Sequence, residues 1–303
     1  MSFQTIKFYL KGFLATNIFF LSAAYGVFAS SFLFLIGKSH LSQYTTARFF
    51  YYLFSKVLGI DIVVRNEQML TQNLPGILVC NHQSTLDILV LGKVLPKGCT
   101  VTAKKSLKYI PFLGWFMVLS GTFFLDRKNK DKSINTLNNA VKNLESKKRS
   151  LWLFPEGTRS YSNTPTLLPF KKGAFHLAVD SQLPIFPVSV SNTSNILNFK
   201  KKIFKKGTVY IDILDPIPTK GLTKSDVTNL CEESRNKMFE DIKHLGYSKT
   251  KGSNETNNSD LNNQIPPNES ISADNSPSSS SSSTSLKVNA TEVTPLIRNQ
   301  RIW

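Results

Sequence analysis

Residues 12–37 contain no charged side chain and are dense in Phe, Leu, Ile and Ala. This stretch restricts the possible folds most, because its 26 residues exceed the roughly 20 that a helix needs to cross a bilayer core. A secretory leader has an apolar core of only about 7–15 residues, so cleavage is not expected. Residues 1–38 therefore read as a membrane segment, either one helix or a helical hairpin turning between Ser22 and Gly26. Lys7 and Lys11 precede the apolar run, while Lys38, Arg48 and Lys56 follow it. That asymmetry leans towards a body on the cytosolic side. A second uncharged stretch, residues 109–125, holds Pro111, Gly114 and Gly121 and is barely long enough to span. It reads as a short helix feeding a buried strand.

The net charge of the 303 residues is +17. Beyond residue 248, five basic side chains (Lys249, Lys251, Lys287, Arg298, Arg301) balance five acidic ones (Glu255, Asp260, Glu269, Asp274, Glu292). The whole excess therefore lies in the body, which suits nucleic acid, an anionic membrane surface or a phosphorylated substrate. The apolar N-terminus argues against nucleic acid. Cys80, Cys99 and Cys231 are far apart and odd in number, so neither a disulfide framework nor a zinc site is expected.

Seven apolar, mostly β-branched runs have the look of strands: residues 61–64, 76–80, 99–103, 122–125, 151–154, 185–190 and 209–214. Several are apolar at every position, as strands covered on both faces are. Helical patterns lie between them. Ile134, Leu137, Val141 and Leu144 recur at helical spacing ahead of Lys147, Lys148 and Arg149. Val227, Leu230, Cys231, Met238, Phe239, Ile242 and Leu245 share one face of a later helix, with Thr223 and Asp226 as start signals. The fold expected for residues 39–248 is α/β, with a mainly parallel, roughly seven-stranded sheet flanked by helices. Residues 249–303 turn to Asn, Ser, Thr and Pro and offer too little apolar surface to offset ordering entropy, so disorder is expected there. Their glycosylation sequons, at Asn254, Asn257, Asn268 and Asn289, would report topology.

Directly after the strand-like run 76–80 comes Asn81-His82-Gln83-Ser84-Thr85-Leu86-Asp87. His82 falls in a turn, and residues 84–95 read as the following helix. Asp87 can accept a bond from one ring nitrogen, fix the tautomer and leave the other nitrogen as a base. Alternatively, His82 caps the helix and Asp87 complements its positive end. Three more strings lie at predicted strands. Gly121-Thr122-Phe123-Phe124-Leu125-Asp126-Arg127 delivers an arginine at a strand end. Phe154-Pro155-Glu156-Gly157-Thr158-Arg159-Ser160 delivers a carboxylate, a glycine and a second arginine. Leu183-Pro184-Ile185-Phe186-Pro187-Val188 leads into a buried strand. Ligands of parallel sheets gather at the strands' carboxyl ends. There Arg127 and Arg159 would bind phosphate through planar forks of donors, with Lys104, Lys105, Lys108, Lys171 and Lys172 adding positive potential. Singly, each arginine reads first as a surface residue after a strand, the lysine pairs as a solvated face, and Glu156 as a structural partner of Arg159 or Arg127. Cys80 closes an apolar strand and reads as inert. Ser84 lacks the G-x-S-x-G elbow of a nucleophile.

Together, in order and spacing, the four strings resemble the motifs of the glycerolipid acyltransferase family, over roughly residues 35–246. The resemblance implies transfer of an acyl group from acyl-CoA to the 2-hydroxyl of 1-acylglycerol 3-phosphate (lysophosphatidic acid), giving phosphatidic acid. His82 would be the general base and Asp87 its orienting partner. Arg127, Arg159 and Lys104 would hold the phosphate. Glu156, Gly157, Thr158 and Pro187 would shape the acceptor site, and segments near Trp115 and Phe186 would receive acyl chains. No metal or resident cofactor is implied, acyl-CoA being a co-substrate. The implied setting is a phospholipid membrane, that of the endoplasmic reticulum or a lipid droplet, with the body in the cytosol. The nearer alternatives are acylation of another lysophospholipid or of glycerol 3-phosphate. The more distant one is a non-catalytic basic protein of the membrane surface.

Overall fold

The computed structural model describes residues 2–72, 74–126, 136 and 149–251. The helix expected at 131–147 apart from residue 136, Arg127 and nearly all of the expected disordered tail lie outside the described residues.

All seven expected strands form, with ends shifted by two residues at most. They are β1 Ile60–Arg65, β2 Ile77–Cys80, β3 Cys99–Lys104, β4 Phe123–Leu125, β5 Ser150–Leu153, β6 Ile185–Val190 and β9 Gly207–Ile213. Their order across the sheet is β1-β9-β6-β2-β5-β3-β4. Every neighbouring pair is parallel except β6 and β9. An eighth strand, β10 Lys249–Thr250, pairs antiparallel with the start of β9. Its two residues belong to the segment expected to be disordered. Their backbone pairing with β9 leaves no hydropathy signal. β7 Leu197–Asn198 and β8 Ile203–Phe204 make a separate two-stranded hairpin.

Central strands β2, β5 and β6 are buried at every position, which explains their lack of alternation. Successive side chains point to opposite faces. Leu78, Trp152 and Phe186 join one core cluster with Phe50, Phe54 and Leu89. These come from helices α2 Ser42–Leu58 and α4 Asp87–Val94. Ile77, Leu151 and Ile185 join a second cluster with Phe175 and Met238, from α6 Gly173–Asp180 and α7 Val227–Leu245. The result is three layers, helix on sheet on helix. Each fully buried Leu, Ile or Phe adds roughly 1.5–3 kcal/mol. α2 stops where Gly59 turns left-handed at φ 69°, and its N–H closes the helix on the Ser55 carbonyl at 2.8 Å.

α1 runs unbroken over Phe3–Leu35, so the hairpin alternative does not hold. Ser22, Ala23 and Gly26 form no turn; they are buried. A Cβ at Gly26 would lie 2.7 Å from the Phe116 ring and 2.8 Å from Thr46 Cγ2. The small residues thus let α1 approach α2 and helix α5 Leu113–Leu119 closely. α1 is long and apolar enough to cross a membrane, yet it packs along the body from Phe8 to Ser30. Phe13, Phe28, Phe32 and Phe34 of its other face stay exposed. Residues 109–125 do not span: they form α5 and β4, the latter only half-buried because it is an edge strand paired with β3 alone.

Candidate active site

The chain leaves β2 at Cys80 and turns sharply before α4, so residues 84–86 form a turn rather than the expected first helical residues. The cause is Asp87. Its Oδ2 accepts from the backbone amides of Gln83 at 2.7 Å and Ser84 at 3.1 Å. The same oxygen lies 2.5 Å from His82 Nδ1. Both side chains are nearly enclosed, at 13% and 5% exposure. A carboxylate in this position makes Nδ1 the protonated nitrogen. Nε2 then has no protein partner among the described residues. One face of the imidazole stacks on Phe154, with ring centroids 4.1 Å apart and planes 21° apart.

Neighbouring loops clamp this turn from both sides. Glu156, 3% exposed, accepts from the His82 amide through Oε1 at 2.6 Å and from the Leu168 amide through Oε2 at 3.0 Å. Burial raises its carboxyl to about 7, against the lowering pull of those two amides. Ser160 and Tyr161 donate their amides to the carbonyls of His82 and Gln83. On the other side, the Asn81 amide pairs with both backbone groups of Val190. Gln83 bonds the carbonyls of Val190 and Ser191 and the amide of Thr193. The carboxyl ends of β5, β2 and β6 are thereby tied into one rigid rim around His82.

A cavity of about 460 Å³ opens from this rim. His82, Asp87, Lys104, Thr158, Arg159 and Tyr161 line its polar end. Its long apolar part is walled by all four helices of one layer: Phe19 and Ala23 of α1, Phe50 of α2, Leu91 of α4 and Phe116 of α5. Arg159 Nη1 donates to the Tyr161 hydroxyl at 3.3 Å. Its Nε is buried with no hydrogen-bond partner among the described residues. Lys104 stands exposed at the end of β3.

Of the residues anticipated from sequence, His82, Asp87, Lys104, Thr158 and Arg159 meet at the cavity, and Arg127 lies outside the described residues. Glu156 does not line the cavity; it positions the His82 backbone instead. Gly157 is also behind the rim, in a left-handed turn at φ 70°. Pro187 sits within β6 in register with Val79, away from the cavity. Phe186 is wholly buried against Gly76, where an added Cβ would lie 2.3 Å from the Phe186 ring, and it does not line the cavity. Trp115 is 55% exposed and points away from the cavity. Cys80 is fully buried, and burial keeps its thiol far from ionisation.

Four residues of the site carried no assigned role in the sequence. Asn81 and Gln83 had a readable signal, since amide side chains closing an all-apolar strand must find buried partners. Phe154 and Gln43 had none. Gln43, on α2, donates to Thr100 and Thr122 and accepts from the Val101 amide, pinning α2 to the strands beneath the cavity.

The acyltransferase family model matches residues 61–191, which include the His82 turn, the Glu156–Arg159 loop and β6. The 1-acyl-sn-glycerol-3-phosphate acyltransferase of Saccharomyces cerevisiae is 51% identical over 241 residues, covering 80% of this chain and 79% of the yeast protein. The chain belongs to the acyltransferase family. Human 1-acyl-sn-glycerol-3-phosphate acyltransferase beta is 38% identical over 63% of this chain and 68% of its own length. Among solved structures, the 1-acyl-sn-glycerophosphate acyltransferase PlsC of Thermotoga maritima shares the fold. Its TM-score is 0.62 at 24% identity, covering 79% of this chain and 98% of the other.

Proposed function

We propose that this acyltransferase moves a fatty acyl group from acyl-CoA to the 2-hydroxyl of 1-acyl-sn-glycerol 3-phosphate, releasing phosphatidic acid and CoA. The observation that carries the reading is one apolar cavity, walled by α1, α2, α4 and α5, that ends at the His82–Asp87 pair beside an unpartnered Arg159 nitrogen. Nε2 of His82 takes the hydroxyl proton as the acceptor oxygen attacks the thioester carbonyl. Asp87 holds Nδ1–H and stabilises the imidazolium that forms. Collapse of the tetrahedral intermediate expels the CoA thiolate, which receives the proton back from Nε2. Arg159 and Lys104, with Arg127, bind the acceptor phosphate. The apolar walls take the acyl chain out of water, where each CH₂ is worth roughly 0.8 kcal/mol.

The decisive assay supplies purified protein in lipid micelles with acyl-CoA and, in parallel, lysophosphatidic acid, lysophosphatidylinositol and glycerol 3-phosphate. Turnover is expected with the first and is expected to fall by about 10²–10⁴-fold in His82→Ala. Preference for another acceptor would reassign the substrate, and full activity of His82→Ala would remove the catalytic role. Because acyl-CoA is a cytosolic donor, the body belongs on the cytosolic face of the endoplasmic reticulum. Protease added to intact microsomes should therefore remove the Ser-rich tail, and its sequons should carry no glycan. A protected, glycosylated tail would reverse that orientation.

A further inference from the structure

The β7–β8 hairpin is the most basic feature of the body, and the reaction above makes no use of it. Lys200, Lys201, Lys202, Lys205 and Lys206 fall within seven residues and are all exposed. No Asp or Glu occurs between Asp180 and Asp212. Among the described residues none of the five lysines is ion-paired. Asp61, in register with Thr208 on the strand that follows the hairpin, is held by Lys251 at 2.8 Å. At the turn, Phe199 is 54% exposed.

This hairpin rests on the first turns of α1. Phe199 meets Phe8 edge to face at 5.9 Å, and Lys202 Nζ lies 5.6 Å from the Tyr9 ring centre. Lys11 Nζ donates to the Phe204 carbonyl at 2.8 Å. On the helix beside these contacts Phe3, Ile6, Leu10 and Phe13 are exposed. Seven lysines, counting Lys7 and Lys11, thus stand among large apolar side chains that are turned to the outside. Nucleic acid would satisfy the charge and leave the apolar surface in water. A bilayer leaflet bearing anionic headgroups satisfies both, because rings enter the interface while ammonium groups stay at phosphate level. Lysine rather than arginine fits such a partner, since mobile headgroups need a point charge and no fixed bidentate geometry.

We propose that residues 197–206, together with the first turns of α1, form a docking surface for anionic phospholipid headgroups, separate from the substrate cavity. α1 meets the hairpin at Phe8 to Lys11 and the cavity at Phe19 to Ala23. The two sites are therefore about 17 Å apart along one helix. Docking at the hairpin sets the tilt at which the cavity meets the leaflet. Each lysine near an anionic surface is worth roughly a fivefold gain in partitioning, lost when salt shortens the range of the field.

The test uses the full chain in lipid nanodiscs. Cys80, Cys99 and Cys231 are buried, so a cysteine at Lys201→Cys can be labelled selectively with an environment-sensitive fluorophore. In discs of phosphatidylcholine with about 30 mol% phosphatidylserine, the label should shift to the blue and be quenched by spin labels at headgroup level. In pure phosphatidylcholine it should report water. Salt at about 0.5 M should reverse the shift, as should Gln at Lys200, Lys202, Lys205 and Lys206 together. Turnover of short-chain, water-soluble substrates by that Gln variant should be unchanged, which shows that it is folded. Identical emission in both lipids, or a shift indifferent to salt and to the four substitutions, would overturn the proposal. The fluorescence needs no turnover, so its outcome is independent of the substrate assignment.

Discussion

Phe154 stands between Trp152 and His82, edge-on to the first at 6.3 Å and stacked on the second at 4.1 Å. A phenyl face is electron-rich, so it attracts an imidazolium more than a neutral imidazole. In the reaction proposed above, His82 is neutral at the start of acyl transfer and cationic when the tetrahedral intermediate forms. Phe154 therefore favours the transition state over the ground state, which is the condition for raising turnover. Asp87 is bonded to the ring through Nδ1 and does not depend on Phe154 for that contact. Phe154→Leu should lower kcat by about 3- to 30-fold, the usual span of a cation–π contact, with little change in KM. Phe154→Tyr, which keeps an aromatic face, should retain most of the turnover. Equal losses of kcat in Phe154→Leu and Phe154→Tyr would mean that Phe154 only fills space.

At the scale of elements, the tightest junction is where α1 crosses α2 and α5 at Gly26. A side chain there collides with the Phe116 ring and with Thr46, and both of these residues line the cavity. Gly26→Leu should cost about 1–3 kcal/mol by overpacking. By prising α1 from α5 it should reduce transfer of long acyl chains more than of short ones. Equal turnover of a chain-length series, relative to the unaltered enzyme, would place the cavity's apolar wall elsewhere. That junction also marks a limit of what the sequence discloses. Strands β2, β5 and β6 were readable because burial on both faces leaves an uninterrupted apolar run. His82 and Asp87 were readable because five residues of chain bring them together. Residues 22–26 left one helix and a hairpin both open, since small residues look alike whether they end a helix or admit a neighbouring one. Phe186 and Pro187 were assigned to the site because their motif belongs to it. A motif fixes the strand but not which of its side chains reach the cavity.

Across the whole molecule, Glu156 couples the site to stability. Burial raises its folded-state carboxyl from 4.5 to about 7, so the folded chain holds that proton more tightly than the unfolded one. The resulting stabilisation is full below about pH 4.5 and is lost as pH rises through about 7, with roughly 3 kcal/mol at stake. Asp241, raised by burial and then by the charge of Asp212, acts with the same sign. Thermal unfolding in detergent should begin at lower temperature at pH 8 than at pH 5.5, and Glu156→Gln should flatten that slope; an unchanged slope would assign it to other groups. The packing of α1 has a different kind of consequence. Phe19, Ser22 and Ala23 are part of the cavity lining, so a truncated, detergent-free version beginning after residue 38 would lack one side of its own reaction chamber. Such a preparation would report the chemistry of a breached vessel: an acyl chain half in water, and a thioester open to hydrolysis instead of transfer.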